Sequence, residues 1–167
     1  MSRRQIIGFT LVELMVVIAI TAILLTVALP SFQGSLRSNR LATTSNELLA
    51  SLSLARSGAI RSTRGGGVCA SANGSTCGND WNTGWLVWTE VDGNGTFSAG
   101  DTVVRYSQGK AKLTLAGSAN SMAFDGRGRA IGGAQTVQLS PEGATTPVRC
   151  VRIGVTGQTR VEQSTCP

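Results

Sequence analysis

Hydrophobic and polar positions divide the chain into three stretches with three different periods. Residues 14–29 are an unbroken apolar run, softened only by Thr21 and Thr26, whose hydroxyls can bond a carbonyl one turn back. Counted from Phe9 to Leu29 the segment has 21 residues, which as a helix is about 31 Å long, close to the thickness of a bilayer's hydrocarbon core. From residue 31 to about 62 the apolar positions recur at helical spacing. Leu41, Ser45, Leu48, Leu52, Ala55 and Ala59 form one stripe suited to packing on a sheet, and Arg37, Arg40, Arg56, Arg61 and Arg64 lie off it. Gly65, Gly66 and Gly67 then stop the helix. Beyond residue 67 the period falls to two, with turn residues every eight to twelve positions. Strands are predicted over 85–89, 102–106, 111–115, 121–124, 136–139, 148–155 and 159–161, the first two joined by a hairpin-type connection. The expected fold is α+β: a long N-terminal α-helix, half transmembrane and half amphipathic, packed on a mostly antiparallel β-sheet.

Composition narrows the chemistry. Histidine is absent, which removes Ser-His and Cys-His nucleophile systems and most zinc sites, so an enzyme is not expected and no cofactor is implied. Arg3 and Arg4, on the short side of the apolar run, place the N-terminus in the cytoplasm and the rest of the chain in the periplasm. Glu13 stands inside the apolar segment, where a carboxylate costs roughly 2.5–3.5 kcal/mol, so it calls for a cationic partner.

The sequence Gly8-Phe9-Thr10-Leu11-Val12-Glu13-Leu14, followed by apolar residues, resembles the type III signal of type IV pilins and type II secretion pseudopilins. The resemblance implies a leader of residues 1–8 cut between Gly8 and Phe9 by a prepilin peptidase, and N-methylation of Phe9. It also implies packing of the apolar helix among other pilins in a filament anchored in the inner membrane. The new amine of Phe9 would lie one helical turn from Glu13 and supply its partner, in the same chain or a neighbour's. Pro30 falls where many pilins carry a helix-kinking proline, so a bend or local melting is expected there. The stretch 39–60, Gly84-Trp85-Leu86-Val87-Trp88, the Asp92-Gly93-Asn94-Gly95 loop and Phe124-Asp125-Gly126-Arg127-Gly128-Arg129 resemble the GspH/FimT family of minor pilins and pseudopilins, with Gly58 where members often carry Glu. The expected organisation is a leader 1–8, a transmembrane helix 9–29, an amphipathic helix 30–64 and a β-rich, pilin-like domain 65–167.

Cys69, Cys77, Cys150 and Cys166 fit two local disulfides, 69–77 and 150–166, in an oxidising compartment, although the sequence does not choose among three connectivities. Their spacings lack the short knuckles of zinc sites. The segment starting at Asp92 does not fit an EF-hand register, since Phe97 and Val103 stand where Gly and Glu are required, and Asn-Gly and Asp-Gly turn chemistry explains it better. Trp81, Trp85 and Trp88 fall in an acidic segment, which favours core packing or a partner surface over stacking on nucleobases.

Charge is segregated along the chain. Residues 65–104 contain no Lys or Arg and carry Asp80, Glu90, Asp92 and Asp101. Residues 105–167 hold eight cations: Arg105, Lys110, Lys112, Arg127, Arg129, Arg149, Arg152 and Arg160. Cations on neighbouring strands are candidates for a phosphate-binding surface, with a solvated face or a contact to acidic subunits as the alternative. In FimT-type minor pilins a C-terminal Gly-Arg-x-Arg motif is associated with DNA binding during natural transformation. Gly157-Gln158-Thr159-Arg160 takes a similar place with Gln158 for the first Arg, and Gly126-Arg127-Gly128-Arg129 matches its letters in mid-domain. Two readings follow. The first is a minor pilin that primes or caps a type IV pilus and binds double-stranded DNA through Arg149, Arg152, Arg160, Arg127, Arg129, Lys110 and Lys112. The second is the minor pseudopilin H of the type II secretion system, with no DNA binding.

Overall fold

The computed structural model describes residues 9–167, with the side chains of residues 27–31 outside that description. The leader expected at 1–8, Gly8 included, lies outside the described residues. A single helix, α1 (Leu11–Ser62), opens the chain. It contributes to two compact units, Met1–Arg37 and Ser38–Pro167, taken separately below.

In the first unit α1 begins at a capped end. The Glu13 amide donates to Thr10 Oγ1 at 3.2 Å and the Leu14 amide to the Thr10 carbonyl at 3.1 Å, so Thr10 satisfies donors that a helix start leaves free. The large apolar side chains described between Phe9 and Leu25 are all exposed. Thr21 Oγ1 donates to the Val17 carbonyl and Thr26 Oγ1 to that of Ile23, both at 2.7 Å, so these hydroxyls are satisfied within the helix as expected. Among the described residues no helix is long and apolar enough to cross a membrane. The expected span 9–29 runs past Thr26 into residues whose side chains are not described. The helix continues through residue 30, so of the bend or local melting expected at Pro30 the melting does not occur: proline removes one hydrogen bond, and the flanking turns keep theirs.

The second unit has one core between the helix and two sheets. The expected stripe, Leu41, Ser45, Leu48, Leu52, Ala55 and Ala59, is fully buried. Against it lie β1 (Gly66–Ala70), β2 (Gly84–Thr89), β3 (Thr102–Gln108), β5 (Ser121–Phe124) and β6 (Ala130–Ile131), in the order β3-β2-β1-β5-β6. A second sheet contains β4 (Leu113–Gly117), β7 (Gln135–Pro141), β8 (Arg149–Ile153) and β9 (Thr159–Glu162), in the order β4-β7-β8-β9. Every pairing is antiparallel. Val68, Ala70, Trp85, Val87, Met122 and Phe124 of the first sheet share the core with Leu115, Val137, Leu139, Val151 and Ile153 of the second.

Three expectations need correction. The strands form two sheets rather than one. The strand expected at 111–115 lies at Leu113–Gly117, because Lys112 has a left-handed backbone (φ 64°) that ends the preceding turn. The glycines at 66 and 67 do not merely stop the helix, which Thr63 (φ 58°) already ends; they open β1, a central strand. A β-carbon on Gly66 would stand 2.7 Å from the Trp88 carbonyl, and one on Gly67 2.7 Å from that of Met122. Close approach of the backbones, not turn chemistry, requires glycine there.

The outer face of the five-stranded sheet carries a smaller apolar cluster of Cys69, Leu86, Trp88 and Ala123, covered by Phe97 and Tyr106. All three tryptophans are buried, in keeping with the core reading. Trp85 Nε1 donates to Ser51 Oγ at 3.0 Å and Trp81 Nε1 to the Ala119 carbonyl at 2.9 Å. The cysteines pair 69–77 and 150–166, the two local bridges.

Candidate functional site

Among the described residues, the eight cations expected to form a basic surface are not all available to a ligand. Lys110 Nζ sits 3.0 Å from Glu47 Oε2 and 5.8 Å over the Trp85 ring, and Arg105 approaches Glu47 Oε1 at 3.9 Å, so both tie their strands to α1. Lys112 precedes β4, the edge of its sheet opposite β9. Arg149 and Arg152 flank Cys150, but a strand's period of two puts Arg149 on the side of Val151 and Ile153, facing the core, and Arg152 on the outer face.

What the fold does assemble lies around two turns. Arg152 is the direct cross-strand partner of Arg160 in the β8–β9 register. The turn joining them is held by the Gly154 amide on the Gln158 carbonyl and the Gly157 amide on the Gly154 carbonyl, each at 2.8 Å. The second turn follows β5. Asp125 Oδ1 accepts from the amides of Arg127 at 2.9 Å and Arg129 at 2.8 Å, and Asp125 Oδ2 pairs with the Arg129 guanidinium at 2.9 Å. Burial works against ionisation of Asp125, but these donors outweigh it and hold the carboxyl below the ordinary aspartate range.

Arg56 brings the two turns together. Its Nε donates to the Gly128 carbonyl at 2.9 Å and its Nη2 to the Thr156 carbonyl at 3.2 Å, so one helix side chain brackets both loops. The contact is tight enough that a β-carbon on Gly157, whose φ is +78°, would collide with the Gly128 carbonyl. The segments Gly126-Arg127-Gly128-Arg129 and Gly157-Gln158-Thr159-Arg160, 31 positions apart in sequence, are thus neighbours in space. A shallow cleft of about 220 Å³ is lined by Arg152, Arg160, Gln158, Gly154, Val155 and Ala134. Arg160 shares its guanidinium with Glu162 at 2.7 Å while staying more than half exposed. Arg160 is held beside Arg152 by strand register. The 150–166 bridge instead folds the C-terminal tail over the outer face, where the Cys166 amide donates to Gln138 Oε1 at 3.1 Å.

The bracket is the residue that sequence reasoning missed. On the helix Arg56 reads as one more cation off the apolar stripe, and nothing in its spacing signals partners 72 and 100 positions away. Glu90 is the other. It reads as one charge among four in the acidic segment, yet it is 3% exposed, and burial together with the neighbouring carboxylates of Asp92 and Asp101 raises its pKa. Turn chemistry in the following loop is as expected, with the Asn94 amide on Asp92 Oδ1 and the Thr96 amide on Asn94 Oδ1.

A helix with a bare apolar N-terminal part that continues into an antiparallel β domain is the architecture of a pilin-like protein. The comparisons give the family. Residues 44–157 match the family described as type II transport protein GspH, and residues 3–29 match the prokaryotic N-terminal methylation motif. The chain belongs to the GspH family, whose members are structural pilins and pseudopilins of the type IV pilus and type II secretion systems rather than enzymes. Two crystal structures of the type IV minor pilin FimU of Pseudomonas aeruginosa (strain PAO1) have a similar fold. One has a TM-score of 0.60 and 24% identity over 75% of this chain and 90% of that one. The other has a TM-score of 0.58 and 23% identity over 73% and 92%. No protein of curated function matches the chain.

Proposed function

We propose that the chain is a minor pilin of a type IV pilus that carries a DNA-binding surface. Cleavage after Gly8 frees the Phe9 amine, which is methylated and neutralises Glu13 in this chain or its neighbour, and the apolar helix moves from the inner membrane into the filament bundle. Exposure of the large apolar side chains described between Phe9 and Leu25 supports this step, because such a surface is stable only against lipid or other helices. The β domain then stands on the outside with the two arginine-bearing turns.

The observation that carries the DNA reading is the bracket by Arg56, which joins the turn bearing Arg127 and Arg129 to the turn between Arg152 and Arg160. Four guanidiniums on or flanking two adjoining turns, Arg129 and Arg160 also paired with Asp125 and Glu162, with the positive field of a cation-rich C-terminal segment behind them, suit a phosphate backbone rather than base edges. The second reading, a minor pseudopilin of type II secretion, is favoured by the description of the matching family. In that case the arginines meet an acidic subunit.

The deciding experiment measures duplex DNA binding by the full chain in neutral detergent as a function of salt. Binding should weaken linearly on a log–log plot, and Arg127→Gln, Arg152→Gln and Arg160→Gln should each reduce the slope by about 0.9 if each removes one phosphate contact. No binding at low salt overturns the DNA reading and leaves the pseudopilin one. Mass spectrometry of the processed chain tests the first step separately: it should begin at methylated Phe9.

A further inference from the structure

The loop that follows β2 gathers three carboxylates outside the surface described above. One oxygen each from Glu90, Asp92 and Asp101 lies within 4.8 Å of the others. Asp92 and Asp101 spend oxygens on loop amides: Asn94 on Asp92 Oδ1, Val91 on Asp101 Oδ1 and Ser98 on Asp101 Oδ2. Glu90 differs. It is 3% exposed, and its Oε2 accepts from the amides of Gly93 at 3.0 Å and Asn94 at 3.2 Å. Its Oε1 is buried with no hydrogen-bond donor among the described residues. Among the described residues no ion pair includes any of the three, and the Arg64 guanidinium donates to the Val91 carbonyl in the same loop.

A buried carboxylate oxygen without a donor costs free energy, and two more carboxylates at this distance add to the cost by repulsion. A cation among them removes both penalties at once. The donor set is all oxygen, which suits a hard ion and not a thiophilic or imidazole-seeking one. Asp92 is exposed and Asp101 half-buried, leaving room for waters in an irregular shell, which calcium accepts and the strict octahedron of magnesium does not.

We propose that Glu90, Asp92 and Asp101 bind a divalent cation of the calcium class, which fastens loop 90–101 to the end of β2. The same loop carries Phe97, whose ring stands 5.9 Å from that of Trp88 and covers the outer cluster of the five-stranded sheet. Cation binding therefore also holds the cover of that cluster in place.

The test uses the full chain in neutral detergent, stripped with a chelator. Terbium luminescence excited through tryptophan should titrate to one ion per chain, and calcium should displace it with a Kd in the roughly 10⁻⁴–10⁻³ M range of extracellular calcium modules. Saturating calcium should raise the melting midpoint by roughly 3–6 °C. Asp92→Asn, an exposed change that spares the fold, should weaken calcium by at least the roughly 10–100-fold that loss of an outer-shell partner costs. Glu162→Gln, an acidic change elsewhere, should leave it alone. Glu90→Gln should abolish binding, and if that variant does not fold Asp92→Asn still decides. Absence of saturable terbium and calcium binding to the folded chain overturns the proposal. So does equal weakening by Asp92→Asn and Glu162→Gln, which would mark non-specific surface binding. A calcium-independent melting midpoint overturns it as well.

Discussion

The two sheets of the β domain are built from similar strands and are used differently. The centre of the five-stranded sheet is buried on both faces: β1 and all but the last residue of β2 are inaccessible, with α1 on one side and Phe97 and Tyr106 on the other, while edge strand β3 is largely exposed. The four-stranded sheet packs one face into the core and leaves the other covered only in part, by the C-terminal tail. Val137 and Leu139, then Val151 and Ile153, point inward, while the alternate positions carry Gln138, Arg152 and Arg160 outward. A sheet enclosed twice is a scaffold and can hold three tryptophan-sized anchors. The outer face of the second sheet carries Arg152 and Arg160, the latter paired with Glu162, beside the C-terminal tail. The acidic segment supplies β1, β2 and the loop after them, while the basic segment forms the whole second sheet and also β5, β6 and part of β3, so the charge division along the sequence crosses the boundary between the sheets.

The contrast can be broken at the scaffold. Trp85→Ala removes a fully buried ring and leaves Ser51 Oγ without its donor, and should cost about 3–5 kcal/mol in chemical denaturation. Arg56→Met tests the joint between scaffold and surface. The apolar stem survives, but the carbonyls of Gly128 and Thr156 lose charge-assisted bonds, a loss of about 1.5–3 kcal/mol, and DNA affinity should fall with it although Arg56 need not touch DNA. Recovery of full DNA binding in a stable Arg56→Met chain would show that the two turns keep their places unaided.

A smaller effect sharpens the comparison with acid. Because Asp125 titrates below an ordinary aspartate, its contribution to stability is present above the unfolded value and is lost as pH falls through the lower, folded one. Asp125→Asn should therefore flatten the decline of the melting midpoint below about pH 4, the region of ordinary aspartate titration. The smallest effect belongs to the outer face of the second sheet. Arg152→Gln and Arg160→Gln should change stability by no more than about 0.5 kcal/mol while lowering the salt slope of DNA binding. If either destabilises the domain as Trp85→Ala does, the outer face is structural and the division between the sheets fails.

Much of the fold was legible in the residues. The helical stripe from Leu41 to Ala59 is buried position by position, and the strand at Ser121–Phe124 lies where its alternation puts it. Illegible parts share a cause. Strand β1 begins with two glycines, which carry no apolar side chain to show a period, and β6 has two residues, too few for any period. Of the candidate site, the cations themselves were readable, but their grouping was not. Lys110 and Arg105 turn to Glu47, Arg149 faces inward, and Arg127 and Arg129 join Arg152 and Arg160 through a helix residue.

The sequence by itself determined the local features: the methylation motif with its apolar helix, the amphipathic stripe, the antiparallel strands and the charge of each segment. Each rests on residues a few positions apart, where backbone periodicity and turn chemistry act directly. Tertiary structure alone decided that the strands divide into two sheets, that Arg56 brackets two distant turns, and that Glu90 is buried beside two more carboxylates. Those outcomes depend on which faces the close-packed core brings together, and no pattern along the chain records that.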